Sequence, residues 1–397
     1  MLTINSVYKA QKVVKDVARK TELIYASKIN LKSNVYLKTE NLQKTGSFKV
    51  RGAYYKISKL SEEEKARGVI ACSAGNHAQG VALSAKRHNI KSVICIPEGA
   101  PLSKIEATRG YGAEVVLVPG VYDDAYKKAL ELQKEHGYTF IHPFDDEDVI
   151  AGQGTIALEI LEQLENIDAV LVPVGGGGLI AGIAFTLKTI NPDIKVYGVE
   201  SAGASSMLES IKDNSIKELN KVNTIADGIA VKKPGSLTYE LCKKYVDDIV
   251  TVSDDEISAA ILTLIEREKM IAEGAGAVAV AAAMFNKVDV IGKNVVCLLS
   301  GGNIDVNILS RVINRGLLMT GRTCQLLIEV LDKPGQLNYV SSIIARLGAN
   351  IISIEHERVN YSSNINECYI RVTLETKNYE HIEAIKKELI DQGFTIK

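Results

Sequence analysis

Four short stretches of this 397-residue chain carry groups suited to chemistry. The stretch Thr45-Gly46-Ser47-Phe48-Lys49-Val50-Arg51-Gly52-Ala53 leads through small residues to a lysine that then enters a helix. A desolvated, deprotonated lysine amine is a nucleophile able to form a Schiff base with a carbonyl compound. Taken alone, one lysine among 47 Lys and Arg residues reads as a solvated surface charge. A second stretch, Gly175, Gly176, Gly177, Gly178 and Leu179, follows an apolar run and opens a helical pattern. Successive glycine amides at a helix N-terminus favour an anion, most naturally a phosphate. Gly176, Gly178 and Ala181 also fit the dinucleotide pattern G-x-G-x-x-G/A, with Glu200 near the offset of a ribose ligand. A nicotinamide site and a ligand-free tight turn therefore stay open for this loop. Ser73-Ala74-Gly75-Asn76-His77 is a further strand-to-helix turn. Its amides could hold a carboxylate and Asn76 could reach a ring oxygen, or Ser73 could simply cap a helix. His77 reads as a packed, hydrogen-bonded histidine without a catalytic role. Ser300-Gly301-Gly302-Asn303 could present a hydroxyl to a heterocyclic nitrogen, or be a turn.

These stretches need a scaffold that brings them together. Val- and Ile-rich runs at 68–72, 92–96, 114–118, 169–174, 195–199 and 294–299 alternate with helix-period segments, which implies a parallel sheet. Their continuous apolar character predicts burial on both faces, as in doubly wound folds, with ligands at the carboxyl ends of the strands. Three of the four stretches fall at such ends. After Gly321 the pattern changes to strand 323–331, turn and helix through Leu347, strand 349–357, strand 367–376, helix 379–391 and strand 394–397. This βαββαβ order predicts a separate ferredoxin-like domain over 322–397.

Composition narrows the function classes. Hydrophobic residues make up 46% and charged residues 24%, an ordinary globular balance. A net charge of −1 with scattered lysines lacks the basic footprint of a nucleic-acid binder. Cys72, Cys95, Cys242, Cys297, Cys324 and Cys368 stand far apart without metal-ligand spacing and read as reduced core thiols. No apolar leader segment or 18-residue apolar run is present, so a cytoplasmic protein outside the membrane is expected.

Together the motifs resemble those of pyridoxal-phosphate enzymes of the tryptophan-synthase-β-like fold, specifically the threonine ammonia-lyase (threonine dehydratase) family. The likeness runs through Lys38-Thr39-Glu40-Asn41-Leu42-Gln43, Gly46-Ser47-Phe48-Lys49, the stretch from Ser73 to Gly80, the glycine run, Ala226-Asp227-Gly228, Glu273-Gly274-Ala275-Gly276 and Leu299-Ser300-Gly301-Gly302-Asn303. Asp332-Lys333-Pro334-Gly335 and Leu347-Gly348-Ala349-Asn350-Ile351 resemble an ACT domain, an amino-acid-sensing module.

The resemblance implies an α/β, fold-type II pyridoxal-phosphate enzyme with open parallel sheets in two subdomains. The catalytic domain would span 1–320, with a smaller subdomain at roughly 45–150, followed by an ACT regulatory domain at 322–397. It further implies that Lys49 carries pyridoxal 5'-phosphate beside Phe48. Gly175, Gly176, Gly177, Gly178 and Leu179 would hold the phosphate, Asn76 the ring hydroxyl and Ser300 the ring nitrogen. Ser73, Ala74, Gly75, Asn76 and His77 would receive the substrate. The implied reaction is β-elimination converting L-threonine to 2-oxobutanoate and ammonia, with L-serine also accepted, in isoleucine synthesis or threonine catabolism. Related serine racemases place a serine where Ala74 stands, so racemisation is expected to be minor. Glu200 and Ala204 fit the cation site of relatives. Ser206 stands where divalent-binding members have an acidic ligand, which leaves a monovalent cation open. An amino-acid effector at the ACT domain and a homodimer or homotetramer are also implied.

Overall fold

The computed structural model describes residues 2–358 and 366–397. The chain divides into two compact units, Met1–Leu309 and Ser310–Lys397, the division falling within helix Val306–Met319.

The first unit holds two sheets. The larger has the strand order Leu23–Tyr25, Asn34–Lys38, Asn294–Leu298, Ala169–Pro173, Lys195–Ser201, Asp248–Val252, and only the first pairing is antiparallel. The smaller is fully parallel, in the order Glu114–Val118, Ser92–Pro97, Val69–Cys72, Thr139–Phe140. Central strands such as Ala169–Pro173 and Val69–Cys72 are buried at every residue, because helices cover both faces. The expectation of two-sided burial fails at Glu114–Val118. This strand lies at a sheet edge, with Glu114 and Leu117 exposed. Apolar sequence alone does not separate an edge strand from a central one.

Three helices set the spacing of the future site. Lys49–Ser58, Glu147–Gln163 and Gly178–Ile190 pack through glycine contacts. A Cβ on Gly152 would lie 2.6 Å from Gly52 Cα, and one on Gly182 would lie 2.4 Å from the Ile150 carbonyl oxygen. Backbones can approach this closely only without side chains between them. The same stack is tied by buried charges. Arg51 donates to Glu40 (2.8 Å) and Glu159 (2.6 Å), and Lys38 donates to Glu159 (2.7 Å). Burial of an ion cluster is costly unless every partner is satisfied. Here the Arg51 guanidinium also donates to Thr155 and the Arg19 carbonyl, so each of its nitrogens has a partner.

The second unit is a four-stranded antiparallel sheet in the order Asn350–Glu357, Glu367–Glu375, Thr323–Leu331, Thr395–Ile396. Helices Gln336–Arg346 and Tyr379–Asp391 contribute Val340, Ile343, Ile344, Ile382, Ile385 and Leu389 to its core. The βαββαβ order expected from sequence is present.

Candidate active site

Lys49 is the first residue of its helix, and the loop before it is clamped to the end of strand Asn294–Leu298. The Phe48 amide donates to the Ser300 carbonyl at 3.1 Å, the Gly302 amide to the Gly46 carbonyl at 2.9 Å, and Ser47 forms an antiparallel bridge with Gly301. Gly46 has φ +69°, and a Cβ there would meet Asn303 Oδ1 at 2.2 Å, so this turn requires glycine. On the other side, Gly80 of helix Asn76–Arg87 brings that helix against the Lys49 backbone; a Cβ on it would lie 3.1 Å from the Lys49 carbonyl carbon. Three of the stretches singled out by sequence thus converge on one lysine.

The Lys49 Nζ donates to the Pro143 carbonyl at 2.8 Å. Burial of the amine pushes its pKa down to about 8, against the opposing pull of Glu273. Roughly a tenth of such an amine is neutral at pH 7, against well under a thousandth for an ordinary lysine. Asn76 Nδ2 donates to Glu273 Oε1 at 2.6 Å, and Asn76 Oδ1 accepts from Asn303 Nδ2 at 2.8 Å. Burial lifts the Glu273 carboxyl to about 7, with the nearby Asp227 charge adding to the rise. Ser300 is buried, and its hydroxyl donates to the Ala275 carbonyl at 3.3 Å. Glu273 and Asn303 lie within the motifs read from sequence, but no local pattern assigns either a role. The signal for Glu273 was an acidic residue inside an otherwise small, apolar run.

The glycine loop leads from Ala169–Pro173 into Gly178–Ile190, with Gly177 at φ +94°. All five residues Gly175, Gly176, Gly177, Gly178 and Leu179 are buried, and among the described residues their amides donate to no protein acceptor. A run of buried, unpaired amides at a helix N-terminus is costly without an anion. Helix Asn76–Arg87 offers a second such end. Among the described residues, the amides of Asn76, His77 and Ala78 have no protein acceptor, while the Gly75 amide is taken by Ser73 Oγ at 3.1 Å. The Ser73 and Ala74 side chains are half-buried beside it. The His77 ring is buried, its Nε2 2.8 Å from the Ile141 carbonyl oxygen, and burial together with the nearby Lys49 charge pushes its pKa down to about 3.

These residues fit pyridoxal phosphate. The fit rests on the orphaned amides for a phosphate, the depressed lysine for an aldehyde, and the buried Ser47 hydroxyl, which has no partner among the described residues. Away from this cluster, Glu200 is buried and accepts from the amides of Met207 (2.9 Å) and Leu208 (2.8 Å). Burial raises its pKa to about 8 despite these amides. Ala204 is buried with its amide on the Ser201 carbonyl, and the buried Ser206 hydroxyl has no partner among the described residues.

Comparison with known proteins agrees with this geometry. A family model described as pyridoxal-phosphate dependent enzyme matches residues 14–301. An L-threonine ammonia-lyase of Thermotoga maritima is 50% identical over 100% of this chain and 99% of its own length. An L-threonine dehydratase named as catabolic, from Staphylococcus aureus, is 49% identical over 80% of this chain and 93% of its own. Among solved structures, threonine deaminase isoform 2 of Solanum lycopersicum superposes with TM-score 0.75 at 43% identity, covering 79% of this chain and 93% of that one. Maize serine racemase superposes with TM-score 0.75 at 34% identity, covering 80% and 98%.

Proposed function

The chain belongs to the pyridoxal-phosphate-dependent enzyme family, and we propose that it is a lyase converting L-threonine to 2-oxobutanoate and ammonia, with L-serine as a second substrate. The observation that carries this reading is the convergence of Asn76 and Ser300 on Lys49, with the unpaired glycine amides linked to it through Pro143 and Phe144: Lys49 donates to the Pro143 carbonyl, and a Cβ on Gly176 would lie 2.3 Å from the Phe144 ring. When bound, pyridoxal phosphate supplies an electron sink that acidifies the α C–H of an amino acid.

The rest is done by side chains and backbone. Lys49 would anchor the cofactor. Once its amine is released, it takes the α-proton, because burial leaves a usable fraction neutral near pH 7 and the Pro143 carbonyl orients it. The amides of Gly175, Gly176, Gly177, Gly178 and Leu179 would hold the phosphate, and those at the start of helix Asn76–Arg87 the substrate carboxylate. Phe48 and Asn76 would flank the ring. Ser300 would set a neutral hydroxyl against its nitrogen, which suits elimination better than chemistry needing a fully protonated ring. Ala74 has no group to move a proton on the opposite face. L-serine incubated with the enzyme should therefore yield pyruvate with little D-serine; D-serine as the main product would sink the assignment of Ala74.

Glu200 with Ala204 would take a monovalent cation in place of the proton that burial otherwise holds on Glu200. The second unit would serve as an ACT-type sensor for an amino-acid effector at Asp332-Lys333-Pro334-Gly335, in a homodimer or homotetramer, with residues 1–320 as the catalytic part. The βαββαβ order and the likeness to the Thermotoga maritima L-threonine ammonia-lyase over the whole chain support a second unit of this kind. Among the described residues no helix is long and apolar enough to cross a membrane, and the free cysteines suit the reducing cytoplasm where we place the reaction.

A further inference from the structure

Among the described residues, one cluster outside the active site joins three side chains of metal-ligating type, all in the second unit. The ligand atoms of Asp332, His356 and Cys368 lie within 4.8 Å of one another. The sheet puts them there. Cys368 pairs directly with Val330, and Asp332 follows two residues later, just past the end of the same strand. His356 pairs with Ile370, two residues from Cys368, so both side chains stand on one face. That face is the core side. Ile351 and His356 oppose Leu374 and Ile370, so an imidazole ends a row in which an aliphatic residue would extend the core. His356 Nε2 is 3.0 Å from Cys368 Sγ. Cys368 is buried while His356 and Asp332 are exposed, which gives a thiol held from below and an entry path from solvent. Arg358 Nε lies 3.4 Å from Asp332 Oδ1 and now supplies the positive charge that a cation would bring.

We propose that Asp332, His356 and Cys368 form a binding site for a borderline divalent transition metal of the Zn(II), Co(II) or Ni(II) class. Sulfur, imidazole and carboxylate donors select such ions over Mg(II) or Ca(II), and three protein ligands leave a coordination position for water or a small ligand. Binding deprotonates the thiol and releases its proton to solvent. The bound ion ties strands Asn350–Glu357 and Glu367–Glu375 to the turn that begins at Asp332.

The test is a cobalt(II) titration of the full-length, tag-free holoenzyme after chelator treatment, read as a difference spectrum. A thiolate-to-cobalt charge-transfer band saturating at one ion per chain is expected, and it should vanish in Cys368→Ser. His356→Ala alters an exposed residue and leaves the core intact. It should weaken uptake by about 100-fold or more, since even groups that only orient ligands are worth about 10- to 100-fold. Absence of the band in the wild-type protein, or an unchanged titration in His356→Ala, would overturn the proposal.

Discussion

At the scale of the residue, catalysis turns on an amine made reactive by its surroundings. A lysine in water is protonated at neutral pH, whereas Lys49, buried and bonded to the Pro143 carbonyl, is pushed down to about 8. The sign has a measurable consequence. Only the neutral amine adds to an aldehyde, so the rate at which apoenzyme recaptures pyridoxal phosphate should rise with pH and level off above about 8. An ordinary lysine would keep the rate climbing to about 10. Stopped-flow absorbance between pH 6 and pH 10 distinguishes the two. Borohydride reduction followed by peptide mapping should place the fixed cofactor on Lys49; a label on any other lysine would refute that role. Glu273 was not assigned from sequence because its meaning depends on Asn76 and Asn303, which stand 197 and about 30 positions away along the chain.

At the scale of the element, the site is held by helices that touch at glycines and by a buried ion cluster. Gly152→Ala puts a methyl group 2.6 Å from Gly52 Cα, where only backbone can move. Overpacking of this kind costs about 1–3 kcal/mol, and the denaturation midpoint should fall while the fold is kept. Arg51→Met leaves Glu40 and Glu159 without their shared partner. Stranding buried charges costs about 3–5 kcal/mol, so this loss should exceed that of Gly152→Ala in urea titrations. Equal midpoints would show that the cluster contributes little. The main strands were legible because buried parallel strands are written as apolar runs. Leu23–Tyr25, Asn34–Lys38, Thr139–Phe140 and Asp248–Val252 were not, being short or interrupted by polar residues. The site loops were visible as motifs, but their convergence depends on pairings such as Ser47 with Gly301, which no local pattern encodes.

At the scale of the whole molecule, we assign chemistry to the first unit and effector sensing to the second. The Staphylococcus aureus relative aligns over 323 residues that make up 93% of its length, so a catalytic unit of this kind does without a second unit of this size. A fragment of residues 1–320 should keep turnover within a few-fold and lose any response to isoleucine or valine shown by the full chain. An unchanged effector response in the fragment would move the sensor elsewhere. The central claim is the reaction itself. Purified holoenzyme given L-threonine should release 2-oxobutanoate and ammonia in equal amounts, with Lys49→Ala releasing neither; no 2-oxo acid from the wild-type enzyme, or undiminished release from the variant, would contradict the account.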